Sequence, residues 1–230
     1  MKTLLVTGAN RGIGLGLVNQ ALKTGYNVFA TCRNPDGARD LWELEHTYKD
    51  RLQILPLDVS DSTSVKNLKD RMPTNLAIDL LVNNAGIYQG GHKPLTEVNL
   101  ADVEAMLNVN TIAPMRVTQA LLPFLERAPN PVVANMSSKM GSIADNTSGA
   151  SYGYRMSKTA LNMFTKSLSI DFPKITAVVL HPGWVKTRMG GDGAPTSVWD
   201  SSEGLWKVLQ SLKPKDTGKF IDFQGELIPW

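Results

Sequence analysis

Thr3-Leu-Leu-Val-Thr-Gly-Ala-Asn-Arg-Gly-Ile-Gly14 joins a short apolar run to a glycine-rich turn. The run Leu4–Thr7 is typical of a buried strand, and the residues from Gly12 onward have the spacing of an amphipathic helix. Glycines in such a turn let the backbone approach a pyrophosphate, which binds at the positive end of the helix. The spacing Gly-x-x-x-Gly-x-Gly differs from the common dinucleotide fingerprint Gly-x-Gly-x-x-Gly. The stretch predicts a phosphate-binding unit; a glycine-rich turn without a ligand is the alternative.

Short apolar runs and amphipathic stretches alternate almost to the end of the chain. Continuous apolar strands separated by helices indicate a parallel sheet buried under helices on both faces. Right-handed crossovers then predict one α/β domain over residues 1–230, a Rossmann-type doubly wound sheet. The predicted strands are Leu4–Thr7, Asn27–Ala30, Gln53–Pro56, Leu80–Asn83, Val132–Met136, Ala177–His181 and Lys219–Asp222. The predicted helices are Gly12–Lys23, Asp36–Tyr48, Ser62–Arg71, Leu100–Arg127, Tyr154–Ile170 and Ser202–Leu212.

Composition is typical of a soluble globular protein, with 42% hydrophobic and 20% charged residues among 230. The net charge of +3 comes without a Lys/Arg run, so no nucleic-acid partner is expected. The single Cys32 rules out an intramolecular disulfide and is expected to be a buried thiol. No apolar run approaches the roughly 18–20 residues that span a bilayer. With no room for a signal peptide before the first strand, we expect a cytoplasmic protein without a membrane partner.

One segment differs in composition from the rest of the chain. Residues 183–201 are rich in Gly, Ser and Thr and follow directly after the sixth predicted strand. A connection of this length is uncommon inside a compact domain unless it has a function of its own. We therefore expect a substrate lid at about 183–201.

The end of the second strand indicates which dinucleotide would bind. In doubly wound folds an acid at this point commonly binds the 2′-hydroxyl of NAD. Here the strand ends in Ala30-Thr-Cys-Arg33, without an acid. Arg33, together with Arg11 in the glycine-rich turn, favours a 2′-phosphate through charge-assisted contacts. This predicts NADP(H) over NAD(H). Asp36 remains an alternative acceptor for a ribose hydroxyl. In a further alternative, both arginines are solvated and neither contacts the cofactor.

A phenol and an ammonium stand four residues apart in Tyr154-Arg-Met-Ser-Lys158, so both project from one face of a predicted helix. A free tyrosine titrates near roughly pH 10. A fixed positive charge beside it stabilises the phenolate and brings the pKa closer to the working range, as acid–base catalysis requires. Two surface neighbours are the alternative reading of this spacing alone.

Further motifs follow the glycine-rich turn in a fixed order: Asp58-Val59, Asn83-Asn-Ala-Gly86, Asn110, Ser138, Tyr154 with Lys158, and Pro182-Gly183. This ordered set resembles the short-chain dehydrogenase/reductase family, from residue 3 to about residue 190. Residues 136–147 and 181–187 further resemble the carbonyl reductases of the sniffer and C-factor group. The resemblance implies an NAD(P)(H)-dependent oxidoreductase.

The resemblance also implies catalytic roles. Tyr154 matches the acid that protonates the carbonyl oxygen as hydride arrives, and Lys158 the residue that lowers its pKa and binds the nicotinamide ribose. Ser138 matches the serine that polarises the carbonyl, with Ser137 as the rival. Asn110 matches the asparagine that bends a helix and holds a proton-relay water. Ser138 precedes Tyr154 by 16 residues, more than is usual in the family, which points to an expanded loop over Ala144–Ser151.

Cofactor contacts follow from the resemblance in the same way. Asp58 matches an acid near the adenine, although it could instead cap the next helix, and Asn83 matches a structural hydrogen-bonding residue. The predicted cofactor-binding residues are Gly8, Asn10, Arg11, Gly12, Ile13, Gly14, Arg33, Asp58, Val59, Asn84, Ala85, Gly86, Tyr154, Lys158, Pro182, Gly183, Val185 and Thr187. No two histidines have a metal-ligand spacing, so no metal is expected.

Apolar and aromatic residues are the candidate walls of a substrate pocket: Met140, Ile143, Tyr152, Trp184 and Met189, with Tyr88 and Trp199. They favour a hydrophobic or aromatic ketone or aldehyde, reduced with NADPH. One alternative is a cofactor-sensing signalling protein with vestigial catalysis. Another is an enzyme of the epimerase/dehydratase branch of the same superfamily, although members of that branch are longer proteins with a separate C-terminal substrate domain. The resemblance further implies a homodimer through the helices Leu100–Arg127 and Tyr154–Ile170. Pro123, Phe124 and Leu125 line either that contact or the core.

Overall fold

The computed structural model describes residues 1–230, in which seven parallel strands form one sheet in the order β3-β2-β1-β4-β5-β6-β7. The strand order reverses between β1 and β4, and ligands of such sheets bind in the crevice at this reversal. The predicted doubly wound α/β fold is confirmed. The strands are β1 Thr3–Thr7, β2 Asn27–Cys32, β3 Leu52–Pro56, β4 Leu80–Asn83, β5 Val132–Met136, β6 Thr176–His181 and β7 Phe220–Asp222.

Helices cover both faces of the sheet, each over its own apolar cluster. One cluster joins α1, α2 and α7 to the sheet, and the other joins α3, α5 and α6 to the opposite face. The helices are α1 Gly12–Lys23, α2 Arg39–Thr47, α3 Ser62–Asp70, α4 Leu100–Leu107, α5 Ala113–Leu125, α6 Tyr152–Asp171 and α7 Val198–Ser211. None of them is both long enough and apolar enough to cross a membrane. The cytoplasmic location stays a prediction.

The predicted helix Leu100–Arg127 is not a continuous α-helix. A π-helical turn, Asn108–Ile112, separates α4 from α5. Pro114 stands four residues after Asn110 and has no N–H, so the α-helical hydrogen bond to the Asn110 carbonyl cannot form. Phe124 and Leu125 are buried in the core rather than on the surface of α5, whereas Pro123 is exposed.

The segment after β6 is ordered by its own hydrogen bonds. The Trp184 indole donates to the Gly190 carbonyl at 2.8 Å, and the Lys186 N–H donates to the Thr196 carbonyl at 2.9 Å. Helix α7 begins at Val198, so the last residues of the predicted 183–201 lid belong to a helix.

Candidate active site

Tyr154 and Lys158 lie one turn apart on α6, at the carboxyl ends of β4 and β5. Lys158 is 5% exposed, and its Nζ donates to the carbonyl of Met136, the last residue of β5, at 2.9 Å. The same Nζ lies 5.7 Å from the centroid of the Tyr154 ring. The structure therefore brings the phenol and the ammonium together at the edge of the sheet where ligands bind.

Burial dominates the titration of the Tyr154 phenol. It raises the pKa of Tyr154 to about 12, while hydrogen bonding with the Ser138 side chain acts in the lowering direction. A net lowering by Lys158 is therefore not what the structure shows, because desolvation of the phenolate is the larger effect. At neutral pH the phenol keeps its proton, which is the form that a proton donor requires.

Lys158 has few hydrogen-bonding partners, although its ammonium group is buried. Burial lowers its pKa to about 8, so the amine is still mostly protonated at neutral pH. An ammonium offers three donors, and the protein supplies one acceptor, the Met136 carbonyl. The remaining donors fit acceptor hydroxyls such as those of a ribose.

Ser138 and its rival Ser137 have different surroundings. The Ser137 hydroxyl is buried and donates to Asn162 Oδ1 at 2.7 Å. The Ser138 hydroxyl accepts from the Met140 N–H at 3.2 Å, at the start of a 3-10 turn. Hydrogen bonding between this hydroxyl and the Tyr154 phenol acts to lower the pKa of Tyr154. Ser138 is therefore the serine that shares the site with Tyr154.

Arg155 fastens the expanded loop between Ser138 and Tyr154. Its guanidinium donates to the Met140 carbonyl at 3.3 Å, the Gly149 carbonyl at 3.0 Å and the Ser148 hydroxyl at 2.8 Å. The loop ends in Ala150 and Ser151, whose φ angles of +49° and +47° are the only positive values outside glycine. The additional residues thus form an ordered wall beside the site.

Asn110 is fully buried in the π-helical turn, and its side chain joins two elements of the site. Its Oδ1 accepts from the Ile87 N–H at 2.8 Å, and its Nδ2 donates to the Ile87 carbonyl at 2.9 Å. The same Nδ2 donates to the Ser157 hydroxyl of α6 at 3.0 Å. Both Nδ2 donors are thus engaged and Oδ1 accepts one hydrogen bond, so the side chain holds Ile87 and Ser157 in place.

The glycine-rich turn fits a pyrophosphate. Gly8 and Gly12 have φ angles of +65° and +53°, which glycine adopts without strain. Arg11 precedes α1 without a capping hydrogen bond, and the first turn of α1 contains no acid. Its N–H groups are therefore available to an anion at the positive end of the helix. Asn84 Nδ2 donates to the carbonyls of Thr7 and Gly8 at 2.9 and 3.0 Å, which fixes the turn against β4.

Comparisons with known proteins agree with this geometry. The family model described as short chain dehydrogenase matches residues 2–196. The chain belongs to this family. C-signal of Myxococcus xanthus is 44% identical over 155 residues, which cover 66% of this dehydrogenase and 93% of that protein. The carbonyl reductase Sniffer of D. melanogaster superposes with a TM-score of 0.94, at 36% identity over 100% of both chains. The NADPH-bound carbonyl reductase from chicken fatty liver has a TM-score of 0.92 and 38% identity, covering 100% of this chain and 99% of its own. The predicted resemblance to the sniffer and C-factor group is confirmed.

In this dehydrogenase the predicted adenosine end contains Asp58 and Arg33. The Asp58 carboxylate accepts from the Ser60 N–H at 2.9 Å and the Ser60 hydroxyl at 2.6 Å. Hydrogen bonding from Ser60 lowers the pKa of Asp58, and the positive charge of Arg33 lowers it further. Asp61, not Asp58, caps α3. Asp36 is exposed in a 3-10 turn, Pro35–Gly37.

The segments expected at the ribose and nicotinamide also converge. A Cβ built on Gly86 would lie 3.5 Å from Lys158 Nζ, and one built on Gly12 would lie 3.4 Å from Thr187 Cγ2. The Thr187 hydroxyl accepts from the Gly190 N–H at 3.1 Å. The turn after β6 therefore reaches both the glycine-rich turn and the ordered segment that precedes α7. The other predicted cofactor contacts of this turn are Pro182, Gly183 and Val185.

Two further predicted contacts lie elsewhere and are held by hydrogen bonds. The Ala85 N–H donates to the Thr7 hydroxyl at 3.1 Å, and the Val59 carbonyl accepts from the Arg116 guanidinium at 2.9 Å.

The candidate pocket residues differ in their contacts and in their exposure. Tyr88 packs edge-on against Tyr154, with 5.0 Å between ring centroids. Trp199 contacts Lys23 of α1, whose Nζ is 4.6 Å from the centroid of the indole ring, and its place in the pocket stays a prediction. Met140 is half-buried and follows Ser138 by two residues; Ile143, Tyr152, Trp184 and Met189 are exposed. Trp184 also lines a cleft of 550 Å³.

Sequence reasoning gave no role in the site to Arg155 and only a strand end to His181. His181 Nδ1 accepts from the Lys139 N–H at 3.2 Å and so supports the residue after Ser138. Burial lowers the pKa of His181 to about 4, which keeps the imidazole neutral and able to accept. The sequence shows an arginine next to Tyr154 and a histidine at the end of a predicted strand, but no pattern in it indicated the partners of either residue.

Proposed function

We propose that this dehydrogenase reduces a ketone or aldehyde to an alcohol with NADPH, in a reversible reaction. The observation that carries the proposal is the buried Lys158 ammonium, which has one protein acceptor and lies beside the protonated Tyr154 phenol. NADPH is bound in the chicken fatty liver reductase, which is 38% identical and similar over the whole chain. When bound, the cofactor supplies a hydride to the carbonyl carbon.

Side chains of the site donate hydrogen bonds to the carbonyl oxygen of the substrate. Negative charge builds on that oxygen as hydride reaches carbon, so donors placed there stabilise the transition state. Ser138 and Tyr154 are the donors, and Tyr154 transfers its proton to the oxygen. Lys158 binds the nicotinamide ribose hydroxyls and supplies positive charge that stabilises the phenolate left behind.

The helix break supplies a route for returning the proton. The Asn110 carbonyl has no α-helical partner, because the residue four positions on is Pro114. We assign this carbonyl to a water molecule that links Lys158 to solvent. Gly86 lies beside both residues, since a Cβ built on it would lie 3.2 Å from Asn110 Oδ1 and 3.5 Å from Lys158 Nζ.

Arg33 and Arg11 provide the preference for NADPH over NADH. Both side chains are exposed, at the end of β2 and in the glycine-rich turn. The positive charge of Arg33 lowers the pKa of Asp58, which supports a position for Arg33 beside the residue predicted to bind the adenine. A guanidinium binds phosphate through paired charge-assisted hydrogen bonds.

The walls of the site favour a hydrophobic or aromatic carbonyl compound. Tyr88 packs against the Tyr154 ring and Met140 follows Ser138 by two residues, while Ile143 is 72% exposed in the expanded loop. Isolated apolar side chains are common on surfaces, but apolar side chains grouped beside polar donors are typical of a small-molecule site.

A second copy of the chain is the proposed partner of the face shared by α5 and α6. Met156, Met163 and Ile170 follow each other at intervals of seven residues on α6 and are 52%, 67% and 67% exposed. Ile112, the last residue of the π-helical turn, and Met115, near the start of α5, are 49% and 48% exposed. Contiguous apolar surface of this kind is typical of protein–protein contacts.

The experiment that tests the function is NADPH consumption across a panel of aliphatic and aromatic ketones and aldehydes. Wild type is expected to oxidise NADPH with at least one carbonyl, and Tyr154→Phe is expected to lose that activity while still binding NADPH. Tyr48→Phe is the matched control, since Tyr48 lies after α2 beside Arg51. Undiminished turnover in Tyr154→Phe would exclude the proposed proton donor.

A second candidate is a signalling protein that binds the cofactor without needing turnover. The identity of 44% to C-signal over 155 residues favours it. Complete retention of Asn110, Ser138, Tyr154 and Lys158 favours the reductase instead. NADPH binding without turnover on any carbonyl of the panel would support the signalling function.

A further inference from the structure

Tyr88 contacts the catalytic tyrosine with its ring and the start of α6 with its hydroxyl. The rings of Tyr88 and Tyr154 pack edge to face, with centroids 5.0 Å apart and planes at 75°. The Tyr88 hydroxyl lies 3.1 Å from Ser151 Oγ, within hydrogen-bond distance. One side chain therefore contacts both the phenol that gives the proton and the residue that precedes its helix.

Ser151 has an unfavourable backbone conformation for its residue type. Its φ of +47° follows the +49° of Ala150, and left-handed non-glycine residues cost on the order of 1 kcal/mol each. A serine before a helix ordinarily accepts a hydrogen bond from the first turn. The Ser151 side chain makes no such bond, although it is 5% exposed. Its partner is the Tyr88 hydroxyl.

The neighbours of Tyr88 are themselves held in place. Ile87 is bound at both its N–H and its carbonyl by Asn110. The Gln89 N–H donates to Met106 Sδ at 3.5 Å. Tyr88 thus projects from a segment fixed on both sides and can hold α6 rather than follow it.

We propose that Tyr88 is a positioning residue for Tyr154, with its ring setting the direction of the phenol and its hydroxyl holding Ser151 at the start of α6. The expanded loop makes this contact possible, because its last residues, Ala150 and Ser151, bring a buried hydroxyl to Tyr88. The inference rests on the proposed function, since it assigns a role within the same reaction.

The test is a double-mutant cycle of Tyr88→Phe and Ser151→Ala, with steady-state kinetics and amide hydrogen exchange. Loss of one hydrogen bond is expected to lower kcat about 3- to 10-fold in each single variant. The KM for NADPH should stay unchanged, because neither residue is among the predicted cofactor contacts. The double variant should lose no more than the larger single loss, since both changes remove the same bond. Amides of residues 149–155 should exchange faster in all three variants, while Tyr48→Phe matches wild type.

Wild-type kcat in both single variants, or losses that multiply in the double variant, would overturn the proposal. If the wild-type protein reduces no carbonyl, the proposed function fails and hydrogen exchange alone tests the contact. Faster exchange at residues 149–155 in the single variants then supports the hold on α6, and unchanged exchange overturns it.

Discussion

Asn110 and Ile87 are joined by two hydrogen bonds, one in each direction. Asn110 Oδ1 accepts from the Ile87 N–H at 2.8 Å, and Asn110 Nδ2 donates to the Ile87 carbonyl at 2.9 Å. A side-chain amide thereby replaces the strand partner that the backbone lacks after β4 ends at Asn83. The arrangement ties the segment over the site to the π-helical turn.

Asn110→Ala should therefore cost both stability and activity. Two buried backbone groups of Ile87 would lose their partners, which we expect to lower the free energy of unfolding by about 2–4 kcal/mol. The segment that carries Gly86 and Tyr88 would shift, so kcat should fall by about tenfold or more. Urea unfolding and steady-state kinetics check the two effects.

Asn99→Ala is the matched control for this change. Asn99 caps α4 by accepting from the Ala101 N–H at 3.1 Å, so its loss should cost about 1 kcal/mol. Its kcat should remain that of wild type. If Asn110→Ala kept full kcat despite lower stability, Ile87 would not need to be held for catalysis.

Lys158→Met should make the protein more stable at pH 7 while abolishing turnover. Burial lowers the pKa of Lys158 from 10.5 to about 8, so the folded state binds this proton less tightly than the unfolded chain. At pH 7 both states are protonated and the full desolvation cost is present. Its removal should raise the free energy of unfolding by about 1–3 kcal/mol.

The pH dependence supplies the second half of this prediction. Between pH 8 and 10.5 the unfolded chain binds more protons at this position, so wild type gains stability as pH rises. The advantage of Lys158→Met should shrink through the same window and be nearly lost above it. Lys166→Met, at an exposed position of α6, should show no such change. A constant difference between pH 7 and 10 would mean that Lys158 titrates normally.

The strands and the glycine-rich turn could be predicted from the sequence, because each depends on a local pattern of residues. The apolar runs before Gly8 and Asn84 are strands, and β5 begins and ends where predicted. The doubly wound parallel sheet also followed, since right-handed crossovers leave few arrangements, although the order of its strands was not part of the prediction.

Features that depend on distant partners could not be predicted in the same way. The pKa of Tyr154 is set by how deeply α6 packs, and the spacing to Lys158 indicates only the charge nearby. The bend in the long helix was implied by the resemblance at Asn110, but no sequence pattern showed that the Asn110 side chain would bind Ile87. The contact of Trp199 with Lys23 was not predicted either, because aromatic composition does not show which side of α7 faces α1.

Arg33→Asp should reverse the preference between the two cofactors. Loss of a charge-assisted contact to the 2′-phosphate should lower kcat/KM for NADPH about 10- to 100-fold. The new carboxylate would accept from a ribose hydroxyl, so kcat/KM for NADH should rise. Arg71→Asp, which makes the same charge change at the end of α3, is the control. An unchanged NADPH/NADH ratio would remove Arg33 from the cofactor site.

Met163→Glu should convert the proposed dimer into monomers. Met163 lies in the middle of the exposed apolar stripe on α6, between Met156 and Ile170. A carboxylate there would be buried against its symmetry mate in a two-fold contact, and burying like charges opposes association. Light scattering after size exclusion should give twice the chain mass for wild type and the single mass of 25.1 kDa for the variant. Trp42→Glu, on the exposed side of α2, should leave the mass unchanged. A wild-type protein that elutes as a monomer would contradict the proposed contact, because the stripe would then have no second copy to cover it.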